Sequence, residues 1–434
     1  MLPVVPVALQ GSLPEAPNSP RDRRSPEFHV EETTIAKIHA ALRSGQLTCV
    51  QLVQLYLERI QAYNGPAVDM PTGRLGPITT RPDARQLNAL CTLNLRPAAR
   101  KRLGFDQHNS RTLTDTVDDD PHLPDALEVA AHLDRQFAAK GELIGPLHGA
   151  VVCIKDQYDT ADMRSTSGGD AAFSNDRPPR DATFVSRLRE AGAIILAKAN
   201  LGEYASGIPR SSFGGVFVNA YDTQRSPGVS SAGCGTAVAA NLVTCAIGEE
   251  TGSSVRGPAS YNSCVGISPT QELVSRHGMI GAGINTRVGP ICRCVEDAAR
   301  LLSVIAGYDP LDELTAFSVG KLPPHRYEDY ASGAAFPTRS MAARSVPPSR
   351  MGPRVEAPHS NCGRASLLPL YGVRIGVVRE FMDTAVLPTT DHGNISIVDA
   401  AIEQLRSLGA VIIEPSDGEN GLFSPYIRRL YVHH

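Results

Sequence analysis

Ala182–Lys198 reads ATFVSRLREAGAIILAK, and Ala400–Pro415 reads AAIEQLRSLGAVIIEP. Each is an amphipathic helix, a Gly-Ala turn and a β-branched strand, the second half of a βαβ unit. Gly372–Val378, GVRIGVV, supplies a strand ahead of the second copy. This alternation predicts an α/β fold, one domain whose parallel or mixed sheet is covered by helices.

The flanking sequence extends the pattern. Thr34–Ser44 and Thr48–Tyr63 read as helices. Thr48-Cys49-Val50-Gln51 fits a capping box, and Leu52, Val53, Tyr56, Leu57 and Ile60 fall on one helical face. Asn64-Gly65-Pro66 stops that helix. Pro124–Ala139 returns to helical spacing, and Ala150–Ile154 is a short apolar run typical of a buried strand. Gly235–Ile247 reads as a possible helix. Residues 66–85 and 105–123 are rich in Pro, Asp, Thr and Asn and read as loops. Residues 1–30 are expected to form a disordered arm. Residues 332–369, rich in Pro, Arg, Ser and Ala, are expected to form a disordered insertion in a domain running from 31 to 434.

Composition narrows the function class. The chain has 434 residues, 42% hydrophobic and 20% charged, as in ordinary soluble globules. A net charge of −3 gives no footprint for nucleic acid. No apolar run approaches the ~20 residues of a membrane span. Nine cysteines, odd in number and irregular in spacing, read as reduced, buried thiols of a cytoplasmic protein. Cys292 and Cys294 stand too close together for a zinc knuckle.

The chemistry resides in Ser226–Thr270, SPGVSSAGCGTAVAANLVTCAIGEETGSSVRGPASYNSCVGISPT, and in Lys155 of GAVVCIKD. A serine hydroxyl needs a partner to take its proton, and a lysine can do so only when neutral. An apolar setting favours the neutral amine. Two serine pairs, Ser230/Ser231 and Ser253/Ser254, flank the apolar run. Taken alone, Lys155 reads more readily as a strand-end lysine paired with Asp156. Taken alone, Ser230/Ser231 also read more readily as helix caps, and Ser253/Ser254 as a polar loop. The chain has no Gly-x-Ser-x-Gly elbow and no phosphate-binding P-loop.

Together these segments resemble the amidase signature family. The matches are GPLHGAVVCIKDQYDTADM (Gly145–Met163), AKANLGEYASG (Ala197–Gly207) and Ser226–Thr270. The resemblance runs from about Thr33 to Asp312 and resumes over Gly372–Pro415. It implies an α/β/α sandwich around a large mixed sheet, here expected to be shortened at the C-terminus. It implies amide hydrolysis by a Ser–Ser–Lys triad: Ser254 as nucleophile, Ser230 as bridge in a non-proline cis peptide, Lys155 as base. The backbone N–H groups of Thr251, Gly252 and Ser253 are the implied oxyanion donors. Ser231 and Arg256 match supporting positions, with Arg256 expected to pair with Glu250. The implied partner is a small-molecule amide. No metal or organic cofactor is implied, and homodimers are common in the family.

Three residues depart from the pattern. Val229 and Ser253 stand where the family has glycine, and Glu249 stands where a small hydroxyl residue is common. A cis bond before Ser230 would cost about 3–4 kcal/mol. A positive φ at Ser253 would cost roughly 1–2 kcal/mol. A catalytically impaired relative, and the glutaminase-type component of an amidotransferase, are the alternative expectations.

Overall fold

The computed structural model describes residues 28–74, 76–81, 83–112, 118, 120–332, 368–384 and 391–414. The expected N-terminal arm lies outside these residues up to position 27, as do positions 333–367 of the expected insertion. The chain divides into two compact units, Met1–Ala342 and Ala343–His434. That boundary falls inside the expected insertion.

In the first unit, two capped helices lead the chain. They are α1 (Ile35–Arg43), with Thr34 as its N-cap, and α2 (Cys49–Tyr63). The Thr48 hydroxyl accepts from the Gln51 N–H, and the Gln51 side chain accepts from the Thr48 N–H, closing the expected box. The sheet strands are β1 (Leu90–Leu93), β2 (Val151–Lys155), β3 (Ile194–Ala199), β4 (Cys245–Glu250), β5 (Val265–Gly266) and β6 (Arg287–Cys292). They lie in the order β1-β3-β2-β4-β6-β5. The β3, β2 and β4 strands run parallel, while β1, β6 and β5 pair antiparallel with their neighbours. The sheet is therefore mixed.

Helices cover both faces. One face packs against α2 and α3 (Ala126–Lys140) through Leu52, Val53, Tyr56, Ala130 and Leu133, and against α5 (Ala232–Ala239) through Cys234, Ala237 and Val238. The other packs against α4 (Thr183–Glu190) and α7 (Val295–Ile305) through Phe184, Val185, Leu188, Leu301 and Ile305. Every residue of β2, β3 and β4 is buried. This explains why Ala150–Ile154 and Ala193–Ala197 read as apolar runs rather than alternating ones. Each fully buried Val, Leu, Ile or Phe contributes roughly 1.5–3 kcal/mol. Truncating Phe184 to Ala is thus expected to cost about 3–5 kcal/mol.

The expected helix at Gly235–Ile247 is corrected. The helix spans Ala232–Ala239 and ends before Asn241, whose φ of 57° turns the chain left-handed. Cys245–Ile247 then enters β4. A fully buried apolar run lacks the periodicity that separates helix from strand. In the expected loops, Val68–Asp69 pairs with Thr79–Thr80, and Gln107–Asn109 forms one 3-10 turn.

The second unit is a small βαβ: β7 (Arg374–Gly376), α8 (His392–Ser407) and β8 (Val411–Ile413), the two strands parallel. The expected strand–helix–strand order of this segment is thus present.

Candidate active site

Parallel strands β2 and β4 carry Lys155 and Glu249 to their carboxyl ends. Open α/β sheets place their ligands outside such ends. Lys155 is fully buried there and donates to Ser230 Oγ at 2.8 Å. It also donates to the Glu249 side chain, at 2.8 Å to Oε2, and to the Glu249 carbonyl at 3.4 Å. It has no pair with Asp156. That carboxylate faces Lys198 at 3.6 Å instead. Burial pulls the Lys155 amine below the ordinary lysine range, and the Glu249 carboxylate opposes this pull without cancelling it.

Ser230 and Ser231 precede α5, yet neither acts as a side-chain cap. Ser231 Oγ donates to the Glu249 carbonyl at 2.8 Å and accepts from the Glu249 N–H at 3.1 Å. It locks the end of β4 against the start of α5. Glycine at 248 leaves room for this contact, since a Cβ there would lie 3.0 Å from Ser231 Oγ and push it aside. The Ser230 loop itself turns at Gly228, whose φ is +108°. A side chain at 228 would meet the Pro258 backbone at 2.9 Å. That close approach brings the 226–231 loop against α6 (Arg256–Tyr261), the helix that follows Ser254. Asn262 Nδ2 clasps the two, donating to Pro227 O at 2.8 Å and Pro258 O at 3.0 Å.

Ser254 lies at the mouth of this arrangement and is 9% exposed. Among the described residues no hydrogen bond joins it to Ser230. The structure therefore brings Lys155 and Ser230 into contact and sets Ser254 just ahead of the helix that the Ser230 loop packs against, without closing the chain of hydroxyls. Thr251, Gly252 and Ser253 are exposed, and among the described residues their N–H groups have no protein partner. Arg256 braces them. Its Nε donates to Glu250 Oε1 at 2.9 Å, and its Nη2 donates to the Gly252 carbonyl at 2.8 Å. The Glu250 carboxylate also accepts from the N–H groups of Val255 and Arg256 and from Ser268 Oγ. Burial works to raise this carboxyl, but these donors hold it below the usual glutamate range.

Two implied strains are absent. No cis peptide bond occurs among the described residues, so the link from Val229 to Ser230 is trans. For a bond without proline, trans is the form favoured by about 3–4 kcal/mol. Ser253 is not among the residues with positive φ, so its Cβ carries no left-handed penalty.

Sequence reading missed the main electrostatic partner in the site. Glu249 registers in the sequence only as a carboxylate where a small hydroxyl is common, and its contact with Lys155 was not foreseen. Tyr158, fully buried, was missed as well. Its hydroxyl donates to the Gly248 carbonyl at 3.0 Å and supports the same strand end. The clasping role of Asn262 carries no sequence signal, since it depends on two loops meeting.

Comparison with known proteins gives the family of the chain. The sequence pattern of the amidase family matches residues 121–331. A probable amidase of Arabidopsis thaliana is 36% identical over 316 residues, covering 71% of this chain and 52% of that protein. A glutamyl-tRNA(Gln) amidotransferase component from Carboxydothermus hydrogenoformans is 36% identical, covering 67% of this chain and 51% of its own length. The chain thus spans about half the length of these curated relatives. The X-ray structure of native peptide amidase from Stenotrophomonas maltophilia aligns with a TM-score of 0.61 at 30% identity, over 93% of this chain and 66% of that one. In sequence pattern, in fold and in its relatives, the chain belongs to the amidase signature family.

Proposed function

We propose that this protein hydrolyses a linear carboxamide through an acyl-serine intermediate. The observation that carries the reading is the buried contact of Lys155 Nζ with Ser230 Oγ at 2.8 Å, on a loop that packs against Gly257 and Pro258 just after Ser254. In this reading Ser254 Oγ attacks the amide carbonyl carbon. Its proton passes to Ser230, whose own proton passes to neutral Lys155. The oxyanion accepts from the N–H groups of Thr251, Gly252 and Ser253. The C–N bond then breaks, and the proton returns through Ser230 to the departing amine. Water attacks the acyl-Ser254 ester and releases the carboxylic acid. The two serine hydroxyls must close to hydrogen-bond range when substrate is bound, as catalytic hydrogen bonds often do.

Among the described residues no helix is long and apolar enough to cross a membrane. The described cysteines are all free thiols, and most are buried, which supports a cytoplasmic setting. The test is a hydrolysis screen over acetamide, benzamide, a fatty amide, glutamine and a C-terminally amidated peptide, with Ser254→Ala as control. Turnover of at least one amide that Ser254→Ala loses is expected. Turnover that survives in Ser254→Ala contradicts the reading.

The likeness to a glutamyl-tRNA(Gln) amidotransferase component favours a second reading, a glutaminase that feeds ammonia to a partner. Hydrolysis of glutamine alone among the five substrates, stimulated by a copurifying protein, would select it.

A further inference from the structure

We propose that Glu249 is a positioning residue that holds Lys155 in its charged form, so that the site becomes competent only as the medium turns alkaline. This rests on the reading of Lys155 as the base. An ammonium has three N–H donors and no lone pair. Three oxygens surround Lys155 Nζ: Ser230 Oγ, Glu249 Oε2 and the Glu249 carbonyl. All three protons are therefore accepted, and the third points at the hydroxyl from which the lysine must take a proton. Losing that proton to solvent base leaves a lone pair aimed at Ser230 Oγ, with the other two N–H groups still directed at Glu249.

The carboxylate cannot turn aside. Its other oxygen, Oε1, accepts from Thr251 Oγ1 at 2.7 Å, and Ser231 grips its backbone from both sides. Both Glu249 and Lys155 are fully buried, so solvent does not screen the pair. The other titratable groups facing the pair are the Cys234 thiol from α5 and the Tyr158 phenol beyond β2. Burial keeps that phenol neutral well past its ordinary range. Glu250, at the end of β4, is engaged by Arg256. Glu249 is thus the one fixed anion in contact with the lysine among the described residues. An opposite charge at this distance favours the charged form of its partner. A threonine or serine at this position would supply a hydroxyl and no such charge.

The experiment records kcat/KM against pH for the wild-type chain, Glu249→Gln and Glu249→Thr. Alongside it, the 13Cε resonance of Lys155 is titrated in protein carrying labelled lysine and assigned with Lys155→Met. In both Glu249 variants the rising limb and the Lys155 titration are expected to move down by one pH unit or more. That is about a tenfold gain in rate at a fixed pH on the limb. Limbs that coincide, or that move up, overturn the proposal. Should Glu249→Gln fail to fold, Glu249→Thr decides. Should both fail, the wild-type titration decides, and a Lys155 found neutral at pH 7 overturns the proposal. A chain that cleaves no amide but whose Lys155 titration follows Glu249 loses the hydrolase reading and keeps only the hold of Glu249 on the charge of Lys155. An active chain whose Lys155 titration ignores Glu249 does the reverse.

Discussion

Lys155 Nζ donates to Ser230 Oγ across 2.8 Å, although the two residues lie 75 positions apart in the chain. Their meeting is a product of topology. Strand β2 ends on Lys155, its parallel neighbour β4 ends beside it, and α5 begins where Ser231 grips that second strand end.

Ser254→Ala is expected to abolish amide hydrolysis while leaving the thermal midpoint within a degree or two of wild type. The hydroxyl makes no hydrogen bond among the described residues, so its removal breaks nothing that holds the fold. A large drop in the midpoint, measured by circular dichroism, would contradict this placement.

Lys155→Met is expected to cost both activity and stability. It leaves the Glu249 carboxylate buried without its cation, at about 3–5 kcal/mol. Adding Glu249→Gln to the same chain should restore most of that loss and none of the turnover. Urea denaturation of the single and double variants measures the difference. Equal stability of the two would show that the pair does not form.

The wild-type rate is expected to rise with pH along a limb that lies below free lysine's value of about 10.4. The sign follows from the site. Burial lowers Lys155 more than Glu249 raises it, and the neutral amine is the form that takes the proton. As pH falls the amine is protonated and the rate falls with it. A rate independent of pH between 6 and 10 would contradict the assignment of the base.

Arg256→Ala is expected to lower kcat more than it raises KM, by as much as roughly 10² where an oxyanion donor swings out of line. The guanidinium uses Nε on Glu250 and Nη2 on the Gly252 carbonyl, so Arg256→Lys should recover little. Its side chain is 62% exposed but its partner Glu250 is buried, so Arg256→Ala should also cost stability, by about 1–3 kcal/mol. Steady-state kinetics of the two variants tests this.

Ser231→Ala is expected to destabilise the chain by about 1–3 kcal/mol. It strands the buried Glu249 N–H and removes one of two donors to the Glu249 carbonyl, leaving Lys155 Nζ as the other. Ser231→Thr, which keeps the hydroxyl, should restore part of the loss if its methyl fits. Chemical denaturation reads both.

Much of the fold was legible because helix starts and strand interiors are local events. Thr48 and Gln51 announce α2 by their chemistry, and AGAIILA announces a turn followed by a buried strand. The site was legible where it consists of residue types: a lysine ending an apolar strand, and serines beside glycines. What stayed hidden depends on meetings across the chain. Cys245–Ile247 could not be told from helix, because the sheet buries it on both sides and erases any alternation. Glu249 looked like an odd substitution until β4 set it against β2. Val229 looked like an obstacle until the chain showed a trans bond there and placed the left-handed turn on Gly228.

The most direct test of the whole account is covalent labelling with a fluorophosphonate, mapped by peptide mass spectrometry, in the wild-type chain and in Lys155→Ala. The account predicts one adduct, on Ser254, in the wild type and a rate of labelling at least a hundredfold lower in the variant. An adduct on another residue, or equal labelling of Ser254 in both proteins, would contradict it.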